Sequence, residues 1–330
     1  MPHGSKKSGC CGPARQDDPA EGRDMAFLAR ANAVRQAPAE TSEELRAKLR
    51  PIRGGFFEMG ARRSAFPGDM DSPRRKVKLS PYLISPFAVS NADYARFADA
   101  TGYRTVAEAE GWSYVFHLLL KDARAHATTP PGLPWWRKVE RACWSAPEGP
   151  GSDLTGRENH PVVHICWYDA LAYCNWSRLD LPTEAQWECA ARGGLARRKF
   201  PWGNEMTPDG GFAMNTFQGS FPTRDSGEDG WIGTAPVDAF ASNGFGMHNM
   251  TGNVWEWAAD RFGPLPGGGR LPPIDPCDLT AIGEPDARVQ RGGSYLCHVS
   301  YCDRYHVHSR TRNDPDSSTG NCGFRVAAKI

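Results

Sequence analysis

Apolar positions along this chain recur in short bursts rather than in long periodic runs. In SNADYARFADATG, Tyr94 is followed by Phe97 and Ala98, three and four positions on, the spacing of one helix face. Ser90 or Asn91 can cap its start, and Gly102 can close it. YDALAYCNW pairs Leu171 with Cys174 and Ala170 with Tyr173, which predicts a helix starting at Asp169. PTEAQWECAARGG sets Gln186 three residues after Thr183, a capping box, and stops at Gly193 and Gly194. FFEMG, KVKLSPYLIS, HPVVHICW and GFRVAA read as short β-type runs. Nearer the N-terminus, MAFLARANAV and SEELRAKLR are rich in helix formers and Pro51 ends them. They predict an N-terminal helical extension over residues 23–50.

From about residue 195 to 295, Gly, Pro, Asn and Trp dominate and no long helix fits. The expected class is α+β with much irregular backbone, and metal ions are one candidate for holding so long an irregular stretch. Residues 1–22, polar and rich in Gly, Pro and charge, read as a disordered tail that contains a Cys10-Cys11 pair. One large domain is expected over 51–330, without internal repeats.

Composition narrows the class. The 39 basic and 38 acidic residues leave a net charge of +1, so no strong field draws the chain to nucleic acid or to an anionic membrane. No apolar run approaches the ~18 residues that a membrane-spanning helix needs. The opening residues lack the hydrophobic core of a signal peptide, which points to the cytoplasm. The 10 cysteines are too few for a disulfide scaffold in a chain of 330 residues.

The sharpest local feature is RGGSYLCHVSYCDRY, which holds Cys297 and Cys302 with Tyr301 between them. Two converging thiolates are soft ligands, suited to Cu(I) or zinc, and they equally suit a redox disulfide. A structural zinc site would ask for four ligands, and Cys166, Cys174 and Cys189 fall on other predicted elements. Spacing alone leaves open that both are buried small hydrophobes. His160 and His164, on a predicted strand, would stand roughly 13 Å apart and form no metal pair.

Read together, FAVSNADYARFADATGY, HPVVHICWYDALAYCNW, LPTEAQWECAARGG, FPWGN, GNVWEWAAD, RGGSY and GFRVAA run in the order of the formylglycine-generating enzyme (sulfatase-modifying factor) family. LCHVSYCDRY, SGEDG, PWWRK and NDPDSS make the chain similar to the true oxidases within it. The resemblance implies a C-type-lectin-like fold with calcium-stabilised loops. It also implies a copper-dependent oxidase that uses O2 to turn the cysteine of a sulfatase CxPxR motif into Cα-formylglycine, thereby activating the sulfatase. The partner would be an unfolded or nascent sulfatase polypeptide, and the enzyme a monomer.

The same resemblance assigns residues. Cys297 and Cys302 would hold Cu(I), with Ser294, Tyr301 and Trp255 beside them. Trp135, Trp136 and Asn321 would bind the substrate peptide. One calcium site would use Asn215, Thr216, Asp229 and Trp231; the second would use Asn249, Gly252, Val254 and Glu256. Two other readings compete. A non-catalytic lectin-like module on the same scaffold would lack the cysteine pair. An iron-dependent sulfoxide synthase would need an HxxxHxE-like motif, and HPVVHIC ends in cysteine instead.

Overall fold

The computed structural model describes residues 12–15, 22–266, 269–270 and 287–330. Cys10 and Cys11 lie outside the described residues. The helices are α1 (Arg23–Asn32), α2 (Ala39–Ala47), α3 (Asn91–Thr101), α4 (Val106–Glu110), α5 (Trp167–Ser177) and α6 (Glu184–Ala191). The first eight strands are β1 (Arg50–Ile52), β2 (Gly55–Met59), β3 (Arg75–Leu79), β4 (Tyr82–Ile84), β5 (Trp112–Phe116), β6 (Trp136–Glu140), β7 (Gly219–Ser220) and β8 (Arg224–Asp225). Six more follow: β9 (Trp255–Arg261), β10 (Gly269–Arg270), β11 (Arg288–Arg291), β12 (Arg310–Asn313), β13 (Cys322–Phe324) and β14 (Ala327–Lys329). The fold is α+β and loop-rich, as the sequence pattern implies.

The caps act where the sequence places them. Ser90 accepts from the Asp93 amide at the start of α3, and Gly102 ends it with φ 64°. Thr183 and Gln186 form the capping box of α6. Helix α5 begins two residues before the expected Asp169. The Asp169 carboxylate reaches back to the Cys166 amide at 3.0 Å, so it serves the third helical position and not the cap. The run HPVVHICW is not a strand. Pro161 makes only an isolated bridge to Ser90, and His164 takes φ 60°, which breaks an extended run. GFRVAA divides between two sheets: β13 runs parallel to β9, while β14 lies antiparallel to β4.

Helix α5 is the centre of the core. All its residues except Asn175 are buried, so it is apolar on every side and other elements must surround it. Phe27 and Leu28 of α1 and Leu45 of α2 join the same apolar cluster as Trp167 and Trp176. The boundary expected at residue 51 therefore does not mark an edge of the core. Residues 12–15, within the stretch expected to be a disordered tail, are docked as well. The Arg15 guanidinium lies 4.0 Å from the Trp112 ring centre and donates to the Trp112 carbonyl at 3.2 Å, while its amide donates to Ser317 Oγ.

The central sheet has the order β12-β11-β9-β13. It is tied to α6 by buried charge. Glu184 and Glu188, one turn apart, share a face of α6. Arg291, fully buried at the end of β11, donates to both, at 2.9 Å and 2.6 Å. Arg310 donates to Glu184 at 2.7 Å, and Arg192 and the Gly60 amide donate to Glu188. Burial pushes the Glu188 carboxyl up, but Arg192 and Arg291 outweigh it and hold the group below its ordinary value. Arg325, next to β13, closes on Glu256 of β9 through two bonds of 2.6 Å and 2.7 Å. Removing one partner leaves an uncompensated buried charge and costs about 3–5 kcal/mol. Arg291→Met should therefore lower the unfolding free energy measured by urea denaturation by that amount. Arg96→Ala, which breaks the exposed pair with Glu44, should barely move it.

Candidate active site

Arg291 leads directly into the candidate site. Gly292 and Gly293 follow it with φ 98° and 79°, conformations that other residues resist. A Cβ on Gly293 would stand 2.8 Å from the Arg304 carbonyl, so the loop from 293 to 304 closes on itself there. Within it the amides of Tyr301, Cys302 and Asp303 all point at the His298 carbonyl, at 2.9, 3.0 and 3.1 Å. That tight turn folds Cys302 back on Cys297.

The two sulfurs stand 3.0 Å apart and both residues are buried. The separation exceeds the roughly 2.05 Å of a disulfide bond. The Ser294 amide donates to Cys297 Sγ at 3.4 Å. Ser294 Oγ in turn accepts from Asn321 Nδ2 at 3.0 Å and from the Leu296 amide at 3.3 Å. Trp255 is buried in the same apolar cluster as the cysteine pair, and its indole Nε1 has no partner among the described residues. Arg304 holds Asp69 at 2.5 Å and 3.1 Å while donating to the Cys302 carbonyl.

Tyr301 packs between the cluster that holds the cysteines and an aromatic wall. Phe221 stacks on it with ring centres 4.3 Å apart, and Trp135 meets it edge-on at 4.9 Å. Both Trp135 and Phe221 are half-buried, so the wall presents aromatic surface. Phe221 was not among the sequence-derived candidates; a Phe in a Gly- and Pro-rich loop carries no local signal, and only the fold places it on Tyr301. Two expected peptide-binding residues need correction. Trp136, at 0% exposure, alternates inward from Trp135 along the chain and packs in the core against Phe116. Asn321 is 1% exposed; its side-chain amide lies between Thr319 and Ser294, and it meets the site through Ser294.

The first expected calcium set is drawn together by one carboxylate. Asp229 accepts from the Thr216 amide at 2.9 Å and from the Trp231 amide at 3.1 Å, and Asn215 adjoins it through Thr216. Burial raises the Asp229 pKa, and no basic side chain pairs with it among the described residues. The second set is mixed. Asn249 Oδ1 is buried without a partner among the described residues, which suits a hard cation's ligand. Glu256, however, is already neutralised by Arg325 and also accepts from Trp187 Nε1 at 2.7 Å.

His160 and His164 share the wall of a cavity of roughly 140 Å³ instead of standing apart on a strand. Among the described residues, no group of three or more His, Cys, Asp or Glu side chains is gathered to hold a metal ion. Cys297 and Cys302 are thus a soft two-sulfur donor set.

The family description "Sulfatase-modifying factor enzyme 1-like domain" matches residues 35–330. The "Formylglycine-generating enzyme" of Thermomonospora curvata is 50% identical over 298 residues, spanning 88% of this chain and 96% of the relative. An "Inactive C-alpha-formylglycine-generating enzyme 2" of Bos taurus is 40% identical, over 84% of this chain and 86% of that one. Among solved structures, PvdO from Pseudomonas aeruginosa superposes with a TM-score of 0.59 at 22% identity, covering 85% of this chain and 93% of that chain. That last likeness concerns the fold.

Proposed function

The chain belongs to the sulfatase-modifying factor enzyme 1-like family, and from its cysteine pair we propose how it works as a formylglycine-generating enzyme. It converts a cysteine of a sulfatase polypeptide to formylglycine. The finer reading is that Cys297 and Cys302 hold Cu(I), that O2 is the oxidant and that the target motif is CxPxR. The observation that carries it is the buried sulfur pair at 3.0 Å, a soft donor set.

Bound copper would supply a soft centre open to a third sulfur, that of the substrate, and able to exchange electrons. The protein does the rest by position. The Ser294 hydroxyl is a neutral group at the pair, and the Trp255 indole N–H, without a partner among the described residues in the same apolar cluster, is available to whatever binds within its reach. Trp135 and Phe221 offer ring faces on which the proline of the motif packs. Loss of two hydrogens from the substrate Cβ and sulfur gives a thioaldehyde, with oxygen as their acceptor. Water then replaces sulfur, releasing hydrogen sulfide and leaving the aldehyde.

Mass spectrometry of a CxPxR peptide incubated with the protein, Cu(I) and air tests this. The expected product is the aldehyde, lost in Cys297→Ser and in Cys302→Ser, while Cys166→Ser retains it. Unchanged peptide with folded, copper-loaded wild type would instead favour the non-catalytic reading that the inactive relative represents.

We further propose that calcium at the Asp229 set stabilises the loops without entering the chemistry. An ion that binds only the folded state raises its stability by mass action. A chelator should lower the melting temperature of the wild type and leave Asp229→Ala, already lowered, unmoved. Glu256→Ala should be destabilised with or without chelator, because it strands buried Arg325. A wild-type melting curve indifferent to chelator would refute calcium binding.

A further inference from the structure

Residues 319–321 form a rigid base beneath the site. The Thr319 carbonyl accepts from the His164 amide at 3.0 Å, and the Gly320 amide donates to the Tyr114 carbonyl at 3.0 Å. The Gly320 carbonyl accepts from Tyr295 Oη at 2.9 Å, and the Asn321 carbonyl from the Trp255 amide at 2.8 Å. With the backbone fixed on several sides, the side chains above it have little freedom. Thr319 Oγ1 donates to Asn321 Oδ1 at 2.7 Å, and Asn321 Nδ2 donates to Ser294 Oγ at 3.0 Å.

A serine hydroxyl has two acceptor positions and one proton. Both acceptor positions of Ser294 are filled, by Asn321 Nδ2 and by the Leu296 amide. Its proton is therefore left to donate in a third direction, next to Cys297, whose sulfur accepts from the Ser294 amide. A reversed Asn321 amide would undo this, because Oδ1 would then consume the Ser294 proton. The Thr319 hydroxyl anchors the far side of that amide: it donates to Oδ1, and Nδ2 is turned to Ser294.

We propose that Thr319 is a positioning residue for the oxidation: through Asn321 it keeps the Ser294 hydroxyl a hydrogen-bond donor beside the sulfur pair. The beneficiary is the negative charge that develops on oxygen as it takes hydrogen from the substrate, so the proposal rests on the function given above. Thr319 touches neither the sulfurs nor the peptide, and it is 2% exposed.

Thr319→Val keeps the shape and removes the hydroxyl, and Thr319→Ser restores it. Peptide turnover by Thr319→Val should fall on the order of tenfold in kcat, with KM for the CxPxR peptide unchanged. Thr319→Ser should match the wild type. In a Ser294→Ala background Thr319→Val should add nothing, because both act through one hydroxyl. A second readout needs no turnover. The Asn321 side-chain amide signals in 15N-asparagine-labelled protein, assigned by their loss in Asn321→Asp, should move in Thr319→Val and stay in Thr319→Ser. Thr319→Ala serves the same purpose where valine prevents folding. A wild-type kcat in Thr319→Val, an equal loss in the Ser294→Ala background, or unmoved amide signals would overturn the proposal. If the wild type makes no formylglycine, the functional reading fails, and the amide signals still decide the geometry.

Discussion

Everything near the sulfur pair depends on Arg291 being buried between two glutamates. Glu184 and Glu188 lie one turn apart on the same face of α6, where two buried like charges could not remain ionised without a cation between them. Arg291 supplies it, bonding each at under 3 Å, and it is itself 0% exposed. An arginine suits this place because its planar fork can reach two carboxylates at once. The consequence is positional. The end of β11 cannot shift without breaking both pairs, so the Gly292-Gly293 turn and the loop carrying Ser294, Cys297 and Cys302 start from a fixed point.

The family's motifs thereby acquire a physical reading. LPTEAQWECAARGG contributes the two acids and Trp187; RGGSY contributes the arginine and the turn. GNVWEWAAD contributes Glu256, and GFRVAA answers with Arg325, a bidentate pair whose acid also holds Trp187 Nε1. Motifs scattered over the chain are four sides of one buried, charge-balanced joint. Such a joint adds little net stability compared with apolar packing of equal volume. What it fixes is register, and a site built on sulfur separation and hydroxyl direction needs register.

What could be read from the sequence was local. The caps at Ser90 and Thr183, the stop at Gly102 and the paired cysteines declare themselves within a few residues. Features set by distant contacts did not. Phe221 is a site residue only because its loop lays it flat on Tyr301, eighty positions away in sequence. Trp135 and Trp136 look equivalent in PWWRK, yet alternation at the start of β6 sends one to the surface and the other to the core. HPVVHICW has the composition of a strand, but its proline and the left-handed His164 make it a bent connection. The helical extension over 23–50 was legible as helix, and its place in the core was not, because that depends on the apolar surface of α5.

The arrangement of charge around the sulfurs follows from the chemistry asked of them. A carboxylate beside the pair would bind harder cations and oppose thiolate formation, while an unpaired arginine would hold the thiolates too firmly to share them. Arg304 comes within reach, bonds Asp69 and donates to the Cys302 carbonyl, and so braces the turn. Two neutral groups of Ser294 stand at the pair: its amide, on Cys297, and its hydroxyl. In surroundings of low dielectric such dipoles act strongly when they are fixed in advance. Fixing them requires the backbone at Thr319–Asn321 and at Gly292–Ser294 to be immovable, and both stretches end in the same central sheet. The buried ion pairs and the hydrogen-bonded Ser294 are thus parts of one device, in which buried charge provides the rigidity that a correctly aimed hydroxyl requires.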